Sequence, residues 1–153
     1  MIVLVTGATS GFGKAIAERF IKDGSKVIGV GRRRDRLNEL HKQLGPNFYG
    51  LTLDIQKKDK IAVALADLPE SFRDIDVLVN NAGLALGLEP AQKGNLEDWD
   101  EMIKTNINGL LYCTRAILPG MIERGRGHII NMGSVAGEFP YPGGNVYGGT
   151  GRH

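Results

Sequence analysis

The sequence predicts an α/β fold: a doubly wound parallel sheet of five strands with helices on both faces. Three observations carry this. Short β-rich runs alternate with helical stretches along the whole chain. The runs are nearly continuous in apolar residues, as strands covered on both faces require. Right-handed crossovers between parallel strands then distribute the helices over the two faces.

The elements follow in order. "IVLV" is a strand, followed by a helix over Gly11 to Lys22; "KVIGV" is followed by one over Arg34 to Leu44, and "FYGLTL" by one over Lys57 to Leu68. "IDVLVN" leads into a longer helical region that includes Asp98 to Glu123, and a fifth strand, "GHIINM", ends in "GSVAG". The segments "GLALGLEPAQKGN" and "GEFPYPGGNVYGG" read as surface loops. A chain of 153 residues, 42% of them hydrophobic, is large enough to fold around one core, so one domain spanning 1–153 is expected.

Composition excludes several functions. The net charge of +2 comes from 19 basic and 17 acidic residues mixed along the chain, which gives no broad field for nucleic acid or an anionic membrane. Cys113 is the only cysteine, so no intramolecular disulfide forms; its setting in "LLYCTRAIL" reads as the buried face of a helix, and a reducing compartment fits. No apolar run approaches the ~18 to 20 residues needed to span a bilayer, and residues 2–6 run directly into a motif instead of forming a signal peptide. A cytoplasmic location is expected. His41, His128 and His153 have no ligand spacing, so no metal site is expected; His41 reads as a helix surface residue and His128 as a strand start.

Ligands of such sheets bind outside the carboxyl ends of the strands, so the residues just after strands are the informative ones. The first strand ends in "TGATSGFG". From Gly7 through Ala8, Thr9, Ser10, Gly11 and Phe12 to Gly13, the glycines allow a tight turn, close backbone approach to a pyrophosphate and tight packing of the next helix. Their spacing is not that of the common dinucleotide fingerprint, and a glycine turn alone is often only a turn. Its place after the first strand of a βα unit points to a phosphate site.

The second strand ends in "GVGRRRDRL", with Arg32 about 20 residues past the glycine loop, where an adenosine ribose is expected. An acid there would suit the 2′-hydroxyl of NAD, whereas a guanidinium pairs with a 2′-phosphate, so Gly31 and Arg32 favour NADP. Arg32 to Arg36 also read as a solvated helix start. Cations at a helix N-terminus oppose the macrodipole, which favours a binding role for Arg32 and Arg33 and leaves Arg34 and Arg36 as surface residues. In "LTLDIQ", Asp54 reads either as an acceptor for the adenine amino group, with Ile55 against the ring, or as a cap of the next helix; the two are compatible. In "LVNNAG", Asn80 and Asn81 can bridge strand ends, while Ala82 and Gly83 let a cofactor pass close to the backbone.

Together these motifs resemble the short-chain dehydrogenase/reductase family. "TGATSGFG" is similar to its glycine loop, "NNAG" to its fourth-strand motif, and "GSVAG" followed by "VYGGT" to its serine and tyrosine region. The resemblance covers the whole chain and implies a Rossmann-type fold. It is closer to the bacterial NADP-dependent 3-hydroxy acid dehydrogenases of the serine and allo-threonine type, through "MIVLVTGAT", "GRRRDRL", "LVNNAGLALGLEPA", "EDW", "LPGM" and "GGNVYG". The resemblance implies an NADP-dependent oxidoreductase acting on a small 3-hydroxy acid or another alcohol or carbonyl. Asn106 in "KTNINGL" then corresponds to the family's helix asparagine, Ser134 to its serine and Tyr147 to its general acid/base.

One position departs from the pattern. A free tyrosine has a pKa near ~10 and needs a nearby cation to act as a base at neutral pH; the family supplies a lysine four residues later, on the same helix face. Here that residue is Gly151, and Arg152 lies about 140° around a helix from Tyr147. Glycines at 148, 149 and 151 also disfavour a helix there, so the scaffold for Tyr147 is expected to be weak. The resemblance further implies two C-terminal strands and their helices missing from this chain. Their absence is expected to expose a strand edge and apolar helix faces, to favour self-association, and to leave this chain with little activity. Family members are commonly tetramers, which leaves a homo-oligomer open. A second reading is a non-catalytic NADP-binding or oligomer-assembly module. A methyltransferase-like or nucleotide-sugar protein on a similar fold is a third, against which "NNAG", Ser134 and Tyr147 argue.

Overall fold

The computed structural model describes residues 1–133 and 142–150. Five strands, β1 (Ile2–Thr6), β2 (Lys26–Gly31), β3 (Phe48–Thr52), β4 (Val77–Asn80) and β5 (His128–Asn131), form one sheet in the order β3-β2-β1-β4-β5. Every neighbouring pair is parallel. The helices are α1 (Gly11–Lys22), α2 (Arg34–Leu44), α3 (Lys58–Ala66), α4 (Leu96–Ile103), α5 (Leu110–Arg124) and the short α6 (Asn145–Thr150). The doubly wound fold and all five strands expected from the sequence are therefore present.

Alternation along the strands builds two cores. Val3, Val5, Val27, Val77 and Val79 point to one face, where Ala17 of α1 and Leu37 and Leu40 of α2 cover them. Leu4, Ile28, Val30 and Leu78 point to the other, beneath Ile61 of α3 and Cys113, Ile117 and Met121 of α5. Burying a side chain of this size contributes about 1.5–3 kcal/mol, so each strand is fixed from both sides. Cys113 is buried, as its sequence setting predicts, and burial pushes its thiol up to about 12. Among the described residues no helix is long and apolar enough to cross a membrane.

The strand order reverses between β1 and β4: the chain first moves outward through β2 and β3, then returns to pair β4 on the other side of β1. Adjacent crossovers therefore diverge at the carboxyl ends of β1 and β4, and a crevice opens there.

One segment refines the expectation and one departs from it. The helical region expected to include Asp98 to Glu123 is present, divided into α4 and α5 by a π-helical turn at Lys104–Gly109. Asn95 caps α4, its side chain accepting from the amides of Glu97 and Asp98 at 2.9 and 3.2 Å. The widened turn buries Thr105, Asn106 and Gly109: Thr105 and Gly109 meet the loop after β3, at Gln56 and Ile55, and Asn106 meets the loop after β4, at Leu84. The departure is α6, which forms despite Gly148 and Gly149. A six-residue glycine-containing helix is too short to persist alone, but Thr150 is only 4% exposed and takes a hydrogen bond from Asn106. Tertiary contact overrides local propensity here.

Candidate functional site

The glycine loop is held from behind by β4. Thr6 Oγ1 donates to the Val79 carbonyl at 3.4 Å and accepts from the amides of Asn81 and Ala82, both at 3.0 Å. The Asn81 side chain donates to the carbonyls of Thr6 and Gly7, each at 3.3 Å. The loop is thus tied to the fourth strand end before any ligand arrives. The sequence pattern singled out Asn81 but not Thr6, whose position at the strand's last residue is the signal that could have found it.

Two glycines are required by geometry. Gly7 has φ +64°, and a Cβ there would lie 2.9 Å from Ala82 Cα. At Gly13 a Cβ would stand 1.9 Å from the Gly7 carbonyl oxygen, so α1 can lodge against the loop only without a side chain. Ser10, at the N-cap of α1, turns its hydroxyl to the Gly7 carbonyl at 3.4 Å and makes no side-chain cap to the helix amides. No acidic residue occupies the first turn. The amides and dipole of α1 are left for an external anion.

A cleft of about 200 Å³ opens above these strand ends. Gly7, Thr9 and Ser10 form its floor; Gly31, Arg32, Arg33 and Arg36 one side; Asp54, Ile55 and Gln56 the other; Ala82, Gly83 and Leu84 the far end. Arg36, expected to be an ordinary surface residue, belongs to the cleft instead. It is one helical turn beyond Arg32 and Arg33, on the side of α2 that faces the glycine loop. None of the three arginines has a carboxylate within ion-pair distance among the described residues. They stand at the positive end of α2, where Arg33 makes no side-chain cap.

Asp54 does not cap α3. Lys57 holds the N-cap position, and Asp54 Oδ1 instead accepts from the Gln56 amide at 3.0 Å, a local turn that keeps the carboxylate beside the cleft. The other loop residues divide. Ala8 is buried in the core and bonds through its amide to the Val30 carbonyl at 3.1 Å. Gly11, with φ +31°, faces open space, and Phe12 is 79% exposed; neither lines the cleft.

At the far end Asn106 organises a second cluster. Its Oδ1 accepts from the Leu84 amide at 2.7 Å, while its Nδ2 donates to the Leu84 carbonyl at 2.9 Å and to Thr150 Oγ1 at 2.8 Å. Thr150 Oγ1 in turn donates to the Tyr147 carbonyl at 2.9 Å. The structure thereby brings two of the three expected catalytic residues, Asn106 and Tyr147, into one network through Thr150, which sequence reasoning missed. Ser134 and Gly151 lie outside the described residues.

Known proteins resemble this chain along nearly its whole length. A family model for short chain dehydrogenase matches residues 1–150. The chain is 62% identical over 150 residues to an NADP-dependent 3-hydroxy acid dehydrogenase of Salmonella typhi, covering 98% of this chain and 60% of the relative. It is 57% identical over 148 residues to a serine 3-dehydrogenase of Rhizobium radiobacter, covering 97% and 59%. The crystal structure of serine dehydrogenase from Escherichia coli superposes with a TM-score of 0.96 at 61% identity, covering 98% of this chain and 69% of that one. The closed form of a serine dehydrogenase complexed with NADP+ matches with a TM-score of 0.96 at 60% identity, covering 99% and 61%. The chain thus spans about 60% of the length of the curated relatives it matches.

Proposed function

The chain belongs to the short-chain dehydrogenase family, and from that premise we propose that its cleft binds NADP and serves hydride transfer to or from a small 3-hydroxy acid or a related alcohol or carbonyl. The observation that carries this reading is the set of guanidiniums of Arg32, Arg33 and Arg36, without ion-pair partners among the described residues, on the cleft whose floor is the glycine loop. Three cations at a helix N-terminus repel one another and oppose the dipole. A bound dianion reverses both costs.

The residues fit the cofactor. The Gly7–Gly13 contact leaves no side chain between loop and helix, and the α1 amides face outward without a side-chain acceptor, which suits a pyrophosphate. Arg32 and Arg33, joined by Arg36, would hold a 2′-phosphate; Asp54 would accept from the adenine amino group beside Ile55; Ala82 and Gly83 would let the rest of the cofactor pass against backbone. When bound, NADP supplies a hydride acceptor or donor at its nicotinamide.

The chain's own residues then manage the proton. In this reading Tyr147 takes the hydroxyl proton of the alcohol in the oxidative direction and Ser134 hydrogen-bonds the substrate oxygen as charge develops. Asn106 holds the Leu84 backbone and, through Thr150, the carbonyl of Tyr147. With Gly151 in place of the family's lysine, the sequence supplies no cation four residues after Tyr147. Loss of such a general acid/base system costs about 10²- to 10⁴-fold in rate, so turnover by this chain is slow. The test is to supply NADP+ with serine, allo-threonine and 3-hydroxypropionate and follow NADPH formation. Slow, NADP-specific turnover of a 3-hydroxy acid is expected. Turnover at a rate typical of enzymes contradicts the role given to Gly151, and turnover with NAD+ alone contradicts the cofactor assignment.

A further inference from the structure

Gln56 ends the Asp54–Gln56 wall of the cleft and reaches across the fold. Its Nε2 donates twice, to Glu101 Oε2 at 3.0 Å and to Thr105 Oγ1 at 2.7 Å. The acceptors are one turn apart, Glu101 in α4 and Thr105 in the π-helical turn. One residue earlier, Ile55 bears on the same turn: a Cβ at Gly109 would lie 2.6 Å from Ile55 Cδ1. The wall of the cleft and the π-helical turn are therefore fastened at two points, and Asn106 lies between them in sequence.

We propose that Gln56 is a positioning residue, a two-pronged latch that sets the π-helical turn, and with it the Asn106 amide, against the wall of the cleft. The chemistry explains the residue type. The position calls for two donors on one planar nitrogen, one of them directed at a carboxylate. Leucine has no donor, and an ionised glutamate would meet Glu101 as a like charge. A ligand that orders the Asp54–Gln56 wall therefore also orders Asn106, and the coupling runs equally in both directions. This last step rests on reading the cleft as an NADP site; the latch itself does not.

Amide hydrogen exchange tests it at Leu84, whose N–H is held by Asn106 Oδ1. In the unliganded chain, Gln56→Leu should speed exchange at Leu84 by about tenfold, the scale of one lost hydrogen bond to a charged acceptor. The amides of the β1–β2 ladder should keep their protection. Gln56→Glu should behave like Gln56→Leu at neutral pH and return toward wild type at acidic pH, where the introduced carboxyl and Glu101 can share a proton; each comparison is made with wild type at the same pH. NADPH should slow Leu84 exchange in the wild-type chain and do so less in Gln56→Leu. Unchanged Leu84 exchange in both variants overturns the latch, as does a uniform rise across the sheet, which would mean general destabilisation. A latch response in the free protein with no NADPH binding upholds the latch and overturns the cofactor reading instead.

Discussion

Replacing Gly13 by alanine tests how the glycine loop is built. The added Cβ would stand 1.9 Å from the Gly7 carbonyl oxygen and 2.6 Å from Asn81 Nδ2. The first contact is with main chain, so no rotamer change relieves it: either α1 backs away from β1 or the Gly7 turn moves off Ala82. Overpacking of a fitted interior costs about 1–3 kcal/mol, and a clash against backbone belongs at the upper end. About 3 kcal/mol lowers the melting temperature of a chain of this size by roughly 6–12 °C. Gly11 provides the internal contrast, because nothing lies within 4 Å of its Cβ position and only its φ of +31° resists a side chain. Gly11→Ala should cost about 1–2 kcal/mol. Thermal unfolding followed by circular dichroism, with NADPH titration of each folded variant, measures both effects. If Gly13→Ala melts and binds like the wild type, the close approach of loop and helix is wrong.

Other perturbations separate the parts of the account. Arg32→Ala removes a charge-assisted contact worth about 1.5–3 kcal/mol and should narrow the preference for NADPH over NADH by about 10- to 100-fold; an unchanged ratio in paired titrations excludes Arg32 from the 2′-phosphate. Leu78→Ala, at a fully buried position beneath α3 and α5, should cost about 2–5 kcal/mol in urea unfolding, and a loss below that range refutes the described packing. Burial raises the Cys113 thiol from 9.0 to about 12. Between those values the unfolded chain releases the proton while the folded chain keeps it, so this group makes stability fall as pH rises through that window. The folded chain should accordingly resist thiol reagents at neutral pH and react once unfolded; prompt labelling of the folded chain contradicts the burial.

Much of this was legible in the sequence because local rules decide it. Short, nearly continuous apolar runs located the five strands, and the helices Gly11–Lys22 and Arg34–Leu44 fall where the pattern put them. The glycine loop, Arg32, Arg33, Asp54 and Gly83 were readable because each follows directly after a strand. What escaped depends on contacts between distant segments. Gln56 and Thr105 are ordinary polar residues until the fold places them 2.7 Å apart. The π-helical turn takes its shape from the two loops that meet it, after β3 and after β4, and Arg36 joins the cleft only because α2 aims its first turn at the glycine loop. Helix α6 was misjudged for the same reason: glycine propensity argues against it, while Thr150 and Asn106 secure it from outside the segment.

The cleft is proposed as an assembled NADP site. Titration of the folded chain with NADPH, following cofactor fluorescence and using NADH as the control, tests it most directly. Saturable NADPH binding at least about tenfold tighter than NADH, the least that one charge-assisted contact to the 2′-phosphate supplies, is the predicted result. A folded chain that binds neither nucleotide, or binds both equally, contradicts it.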